Sequence, residues 1–298
     1  MPLVTSILAD GFVFLEGPRW HDGRLFLSDM HDDRVLAVGL DGRVERILDV
    51  PTQPSGLGWL PDGRLIVVSM TDRKLLRVDP GGLALHGDLS GIATFHCNDM
   101  VVDGQGRAYV GNFGWDYEGG APQRNAALAL VHPDGRVVRA ADDLAFPNGT
   151  VITPDGGTLI VAETFARCLT AFDVAPGDGS LSNRRLWAST DPVFPDGICL
   201  DAEGAVWVAS PLSNEVVRVR EGGEITHHIA TGRHAIACML GGPDRRKLSS
   251  SPPTPSGASR RGPSAVRGSR RCTSTSPAPG SPDAHPSAGA YSNASSFA

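Results

Sequence analysis

The sequence predicts an all-β protein, a six-bladed β-propeller whose last blade is incomplete because of a C-terminal frameshift. A turn made of an acidic residue and a glycine recurs between two short apolar segments, at intervals of 40, 41, 52, 46 and 43 residues. Such intervals suit four-stranded units with loops of variable length. No segment longer than about ten residues has helical periodicity. The turns are Asp22-Gly23, Asp62-Gly63, Asp103-Gly104, Asp155-Gly156, Asp201 with Gly204, and Pro243-Asp244.

The second unit illustrates the predicted order of strands within a blade. Its first two strands, at 56–60 and 64–68, are almost entirely apolar, and a third follows at 74–79. Apolar inner strands are expected to pack between neighbouring blades, whereas outer strands with alternating polarity face water. The first unit repeats this order with strands at 24–27, 34–38 and 43–48.

The third unit contains the longest insertion, a glycine-rich stretch with aromatic residues at 112–124. Two interpretations remain open for it. It is either a lid over a binding pocket or an ordinary long connection between strands.

The composition changes abruptly after residue 248, which predicts a propeller domain at 1–248 and a separate tail at 249–298. In the tail, 35 of 50 residues are Ser, Pro, Gly or Ala. A chain with so few large apolar residues cannot bury enough surface to fold, so disorder is expected. On this interpretation the sixth unit lacks the strand that should follow its inner strand.

A natural disordered tail and a frameshifted C-terminus are the two explanations, and back-translation favours the frameshift. With codons chosen to end in G or C, 272–280 read one base earlier can encode Leu-His-Val-Asp-Val-Pro-Gly-Ala-Gly, a plausible strand and turn. Residues 248–252 can likewise encode Leu-Phe-Val-Leu-Thr if one base was deleted. Both segments agree on one frame.

Composition and charge exclude several classes of partner. A net charge of −6 and a pI near 5.8 give no electrostatic reason to expect a nucleic acid or an anionic membrane as partner. The five cysteines are widely spaced without a Cys-x-x-Cys pair, so they are expected to be reduced and structural. No signal peptide or long apolar run is apparent, and the expected location is the cytoplasm. Nothing in the sequence specifies an oligomeric state.

Polar residues stand immediately before or at the start of the inner strands of separate units. In a propeller the inner strands run in the same direction around a central channel, so these residues should converge at one mouth of the channel. Carboxylate and amide oxygens suit Ca²⁺, Mg²⁺ or Mn²⁺, and such an ion can activate water for hydrolysis. The residues are Glu16, Ser55, Asn98 with Asp99, Asn148 and Asp196.

Each of these residues also has a purely structural explanation. Asn-Gly and Asp-Gly pairs are frequent turn formers, which would account for Asn148 and Asp196 taken singly. Turn chemistry does not explain why three different oxygen donors occupy the same place in separate repeats. The shared register therefore favours a functional site.

The chain resembles the family of gluconolactonase, regucalcin (senescence marker protein) and luciferin-regenerating enzyme. The resemblance implies a six-bladed propeller with one divalent cation in its channel, Ca²⁺ being expected and Zn²⁺, Mg²⁺ or Mn²⁺ the alternatives. It also implies metal-dependent opening of a small-molecule sugar lactone by an activated water. The matching motifs are Leu15-Glu16-Gly17-Pro18-Arg19-Trp20, Asn98-Asp99, Val102-Asp103-Gly104-Gln105-Gly106-Arg107, Pro147-Asn148-Gly149 and Pro195-Asp196-Gly197.

By this resemblance, Glu16, Asn148 and Asp196 match the metal ligands, and Asp196 also matches the general base. Asn98 matches a substrate-contacting position and Asp99 its neighbour. His96 stands where regucalcin-like members have an arginine that touches substrate, and it is therefore expected to set which lactone binds. The alternatives are a related metal-dependent esterase and a non-catalytic propeller that binds a ligand.

Overall fold

A computed structural model describes residues 6–243 and 247–251 of the chain. Within these residues the chain forms β-strands and two 3-10 helices, Met30–Asp32 and Thr164–Ala166. Consecutive strands pair antiparallel in every sheet, so each sheet is a simple meander. The predicted all-β class is confirmed. In the described part of the chain, no helix is long and apolar enough to cross a membrane.

Five sheets of four strands form complete propeller blades. The first blade contains β1 (Leu15–His21), β2 (Arg24–Asp29), β3 (Arg34–Val38) and β4 (Val44–Asp49). The second contains β5 (Pro54–Trp59), β6 (Leu65–Ser69), β7 (Lys74–Asp79) and β8 (Gly82–Asp88). The third contains β9 (Cys97–Val102), β10 (Ala108–Asn112), β11 (Ala126–Val131) and β12 (Val137–Leu144).

The remaining two complete blades repeat this arrangement, and a sheet of two strands follows them. The fourth blade contains β13 (Pro147–Ile152), β14 (Thr158–Glu163), β15 (Cys168–Val174) and β16 (Leu181–Ser189). The fifth contains β17 (Ile198–Leu200), β18 (Val206–Ser210), β19 (Glu215–Val219) and β20 (Ile225–Ala230). The two-stranded sheet contains β21 (Ala237–Gly241) and β22 (Lys247–Ser251).

The innermost strands of successive sheets pack against one another in a closed ring. Strands β1, β5, β9, β13, β17 and β21 contact each other in that order, and β21 returns to contact β1. A side chain at Gly241 of β21 would collide with the indole of Trp20 in β1, which shows how closely the ring closes. The arrangement is that of a β-propeller.

The apolar core lies between the sheets, as the alternation of strand types predicts. Every residue of β6 is buried, whereas no residue of β4 is buried. Each buried Val, Leu or Ile side chain stabilises the fold by about 1.5–3 kcal/mol. The outer strands contribute less to this term, although Leu144 of β12 and Trp187 of β16 are buried.

The prediction of six blades is corrected to five complete blades and one two-stranded sheet. The expectation that the sixth unit lacks its second strand is also wrong, because β22 pairs with β21 from Gly241↔Lys247 to Ala237↔Ser251. Strand pairing uses backbone amides and carbonyls, which a serine-rich segment supplies as well as an apolar one. Strand β22 therefore crosses the predicted domain boundary at residue 248.

The rest of the predicted tail, 252–298, lies outside the described residues. The frameshift and the disorder of this segment therefore stay predictions.

Candidate functional site

Six equivalent backbone positions meet where the inner strands begin. At Gly149 of β13, a Cβ atom would lie 2.4 Å from the Ile198 nitrogen and 2.6 Å from the Asp196 carbonyl oxygen of the next strand. Only a glycine allows so close an approach of two backbones. Comparable close contacts occur at Gly17, Gly56 and Gly197, and the residues that precede these glycines or face them across the contact occupy equivalent positions. They are Glu16, Ser55, Asn98, Asn148, Asp196 and Ile236.

An irregular register marks this ring in four of the inner strands. The pairing of β1 shifts between Glu16 and Arg19, and the pairing of β13 shifts between Pro147 and Thr150. Strand β5 shifts after Pro54, and β9 shifts in its Cys97–Met100 segment. A β-bulge re-aims a side chain that a regular strand would direct into a sheet face. The shifts therefore occur where the predicted donors have to turn towards the channel.

The predicted donors are buried. The exposed fractions of Glu16, Asn98, Asn148 and Asp196 are 7%, 4%, 5% and 7%, and that of Asp99 is 3%. Burial, followed by repulsion from Asp196 and Asp99, raises the pKa of Glu16 well above its usual value. Burial also raises the pKa of Asp196 to about 8, with a further contribution from Asp99 and an opposing hydrogen bond from Asn148. Three carboxyl groups thus share one poorly solvated region.

Two of the predicted ligands carry oxygens that have no hydrogen-bond partner. These are Oδ1 of Asn148 and Oδ1 of Asp196, and both are shielded from solvent. An unpaired buried polar atom costs about 1–3 kcal/mol, so such atoms need an explanation. Two unpaired oxygens beside the buried Glu16 carboxylate form a hard-oxygen donor set, and this set fits a divalent cation.

The donor set contains two carboxylates. Asp99 is not counted among them, because it is already paired with Arg19. Among the described residues, no group of three or more His, Cys, Asp or Glu side chains is arranged to hold a metal ion. The predicted site differs from such a group because the third ligand is the amide oxygen of Asn148. Metal binding at this place is therefore a proposal based on the unpaired oxygens.

Asn148 and Asp196 are held in place by a network that joins the fourth and fifth blades. The amide nitrogen of Asn148 donates to Thr164 Oγ1 at 3.4 Å, and this hydroxyl donates to the Pro195 carbonyl at 2.8 Å. The Gly149 backbone nitrogen donates to the Asp196 carbonyl at 3.2 Å. These bonds leave Asn148 Oδ1 directed away from Thr164. Sequence inspection missed Thr164, which follows β14 and belongs to no recognisable motif.

Asp99 is paired with a cation from another blade. Arg19 Nη2 donates to Asp99 Oδ1 at 2.7 Å and also donates to the Met100 carbonyl. The arginine reaches from β1 to β9, past the glycine-containing strand β5. Burial raises the pKa of Asp99, and the Arg19 guanidinium opposes this shift. Asp99 also stands where the equivalent positions in other units are Gly17, Gly56, Gly149 and Gly197, a difference that aligning the repeats in the sequence could have revealed.

His96, two residues before Asn98, lies in a group of aromatic rings with Phe95 and Phe113. Its ring stacks on Phe95 at a centroid distance of 4.1 Å and lies 6.0 Å from Phe113. Burial lowers the pKa of His96, although Glu118 and Asp116 oppose this shift. His96 is therefore neutral near pH 7.

Tyr117, in the long insertion of the third unit, packs against the same group of aromatic rings. The ring of Tyr117 lies 5.4 Å from Phe113 and 5.6 Å from Phe146. Burial, the Glu118 carboxylate, and the charges of Asp196 and Glu16 raise the pKa of Tyr117. Asp196 and Glu16 are thus among the charges that act on the Tyr117 hydroxyl. The sequence indicated the insertion as a candidate lid but did not single out Tyr117.

Without divalent cations, the protein is expected to lose stability as the pH rises from about 5 to 8. Burial raises the folded-state pKa values of Glu16 and Asp99, and that of Asp196 to about 8, above the ordinary value near 4. Their stabilising protonation is complete below the unfolded pKa and is lost as the pH passes the folded pKa. Urea unfolding in a chelating buffer would measure this, and Asp196→Asn should flatten the slope. Stability that increases over this range would contradict the shifts.

Comparison with known proteins places these observations in a family. Residues 14–249 match the model described as SMP-30/Gluconolactonase/LRE-like region. Regucalcin of Xenopus laevis is 32% identical over 158 residues, 51% of this chain and 52% of that protein. The chain thus spans about half the length of the regucalcins it matches. Pentonolactonase XacC of Haloferax volcanii is 28% identical over 253 residues, 82% of this chain and 83% of that protein.

Solved structures give the same result. A gluconolactonase of Xanthomonas campestris has a TM-score of 0.71 and 28% identity, covering 83% of this chain and 85% of that chain. A structure described as a calcium-binding protein, regucalcin, from Agrobacterium tumefaciens has a TM-score of 0.69 at 21% identity, covering 80% and 81%, and supports the fold alone. The family model covers most of the chain, and the chain belongs to the SMP-30/gluconolactonase/LRE-like family.

Proposed function

We propose that this protein is a divalent-metal-dependent lactonase that opens sugar lactones. The observation that carries the proposal is the pair of buried, unpaired oxygens on Asn148 and Asp196 beside the Glu16 carboxylate. The similarity to a gluconolactonase and to a pentonolactonase supports the substrate class. The acidic net charge of the chain gives no reason to expect a nucleic acid or an anionic membrane as partner. A small lactone as substrate is consistent with this.

Glu16, Asn148 and Asp196 would hold one divalent cation. Ca²⁺ is the ion we propose, because all three ligands present hard oxygen atoms. Zn²⁺, Mg²⁺ and Mn²⁺ are the alternatives. When bound, such a cation polarises a carbonyl and lowers the pKa of water.

Asp196 is proposed as the general base that takes the proton of the attacking water. Asp196 lies just before β17 and is buried, and its unpaired Oδ1 can accept a hydrogen bond. Asn98 and His96 are proposed to bind the substrate, Asn98 through its amide nitrogen, which has no hydrogen-bond partner. Asp99 remains in the proposed substrate-binding set as the neighbour of Asn98, with one carboxylate oxygen already held by Arg19. The cytoplasmic location predicted from the sequence is retained in this proposal.

Calcium is expected to raise the melting temperature of the chelator-treated protein by about 5–10 °C at a hundredfold excess over its Kd. Ligand binding at this ratio contributes about 2.7 kcal/mol to the folded state. Differential scanning calorimetry with Ca²⁺, Mg²⁺, Mn²⁺ and Zn²⁺ would rank the ions. The Glu16→Gln variant should lose most of this shift. An unchanged shift in that variant would place the ion elsewhere.

A panel of five- and six-membered aldonolactones, followed by proton release, tests the reaction itself. The metal-loaded protein should hydrolyse at least one of them well above the spontaneous rate. Turnover of an aryl ester but of no lactone would favour the related esterase. Absence of any turnover by metal-loaded, folded protein would instead support a propeller that only binds a ligand.

A further inference from the structure

Two cysteines on neighbouring inner strands bring their sulfur atoms close together. Cys199 belongs to β17 of the fifth blade, and Cys238 belongs to β21 of the two-stranded sheet. Their Sγ atoms lie 3.9 Å apart. The exposed fractions of the two residues are 2% and 1%. No other pair of cysteines in the described residues makes a thiol–thiol contact.

The backbones that carry these cysteines are unusually close. The Gly197 nitrogen donates to the Ile236 carbonyl at 2.8 Å, and a Cβ on Gly197 would lie 2.5 Å from the Cβ of Ala237. A disulfide requires Cα atoms about 4.4–6.8 Å apart and sulfurs separated by about 2.05 Å. The sulfurs must therefore approach by about 1.9 Å, a displacement that small rotations about the Cα–Cβ bonds can supply.

Little opposes that approach. Cys238 Sγ contacts the carbonyl oxygens of Gly197 at 3.6 Å and of Trp207 at 3.4 Å, and thiol–carbonyl hydrogen bonds are weak. The surrounding cluster is apolar and contains Ala209, Val216 and Ala235. A disulfide is less polar than two thiols and suits this environment.

We propose that Cys199 and Cys238 form a reversible disulfide that ties the two-stranded sheet to the fifth blade. The oxidant is a small disulfide such as oxidised glutathione. The thiolate of one cysteine attacks this disulfide, forms a mixed disulfide and releases one small thiol. The second cysteine then attacks the mixed disulfide and releases the second thiol. The protein loses two protons and two electrons, and the oxidant is reduced to two thiols.

The reaction is slow in the closed fold because both sulfurs are buried, and burial raises the pKa of Cys238. It proceeds when β21 and β22 separate from the ring. Within the described residues this sheet has two strands rather than four and so fewer cross-strand hydrogen bonds, and we expect it to open more readily than a complete blade. The disulfide then prevents that opening.

Mass spectrometry after oxidation tests the proposal. The full-length protein would be incubated with oxidised glutathione, alkylated and digested. The expected product has a mass 2 Da below that of the reduced protein, three alkylatable cysteines out of five, and one cross-linked peptide pair containing Cys199 and Cys238. The melting temperature should rise by about 5–10 °C and return to its starting value with dithiothreitol.

Matched variants distinguish this cross-link from other oxidation products. Cys168→Ser should retain the mass change and the thermal shift, because Cys168 has no thiol partner among the described residues. Cys199→Ala should lose both. If five cysteines stay alkylatable after prolonged oxidation, or if the cross-link maps to another pair, the proposal is wrong. The peptide map of the unmodified protein decides this even if Cys199→Ala folds poorly.

Discussion

Asp196→Asn is expected to reduce kcat for lactone hydrolysis by about a thousandfold or more. General-base catalysis alone contributes about 10²–10⁴-fold, and the substitution also weakens a proposed metal ligand. Asn98→Ala should cost about 10–100-fold, because it removes one hydrogen bond to the substrate rather than the base. Steady-state kinetics on the best lactone of the panel, at saturating cation, would measure both ratios.

The control for Asp196→Asn is Asp41→Asn in an exposed turn. Asp41 Oδ1 accepts a hydrogen bond from the Arg43 nitrogen, and asparagine can accept the same bond. This variant should keep the kinetics of the unmodified protein. A folded, metal-binding Asp196→Asn protein with an undiminished kcat would remove Asp196 from the reaction.

Gly149→Ala should destabilise the fold by about 3 kcal/mol or more and should abolish activity. The added methyl would lie 2.4 Å from the Ile198 nitrogen, 2.6 Å from the Asp196 oxygen and 2.8 Å from the Gly197 Cα. All three are backbone atoms, so neither a side-chain rotation nor a small adjustment relieves the overlap. The fourth and fifth blades must separate, which moves Asn148 away from Asp196.

Gly104→Ala is the matched control for this steric effect. Gly104 lies in the exposed turn between β9 and β10, and a Cβ there would meet no atom within 4 Å. Its stability should change by no more than about 0.5 kcal/mol in urea titrations. Equal effects of the two substitutions would show that loss of glycine flexibility, rather than backbone contact, explains the result at Gly149.

Sequence repetition was sufficient to predict a propeller, but not its number of complete blades, and it indicated equivalent positions at the starts of the inner strands. The acidic-glycine turn fixes where each hairpin reverses, so it also fixes where the inner strand begins. The donors could be aligned across repeats because Glu16, Asn148 and Asp196 each immediately precede a glycine. Their convergence then follows from the topology alone.

Contacts between blades could not be predicted in this way. Nothing in the spacing of Arg19 and Asp99, 80 residues apart, indicates that they form an ion pair. The proximity of Cys199 to Cys238 likewise depends on how tightly two backbones pack, which composition does not reveal. The strand at 247–251 was missed because apolar content was used as the criterion, whereas the pairing depends on the backbone.

The equivalent positions at the starts of the inner strands have a consequence for how the chemistry of this site can be altered. Each inner strand contributes one residue at an equivalent position where the strand begins. Two places are not used by the proposed ligands or substrate contacts: Ser55, which is fully buried with an unpaired hydroxyl, and Ile236, which is apolar. The residues at these two positions can therefore be exchanged without removing a proposed ligand or substrate contact. Exchanging Ser55 or Ile236 for a charged residue would change the formal charge at this end of the inner strands without altering Glu16, Asn148 or Asp196, the proposed ligands.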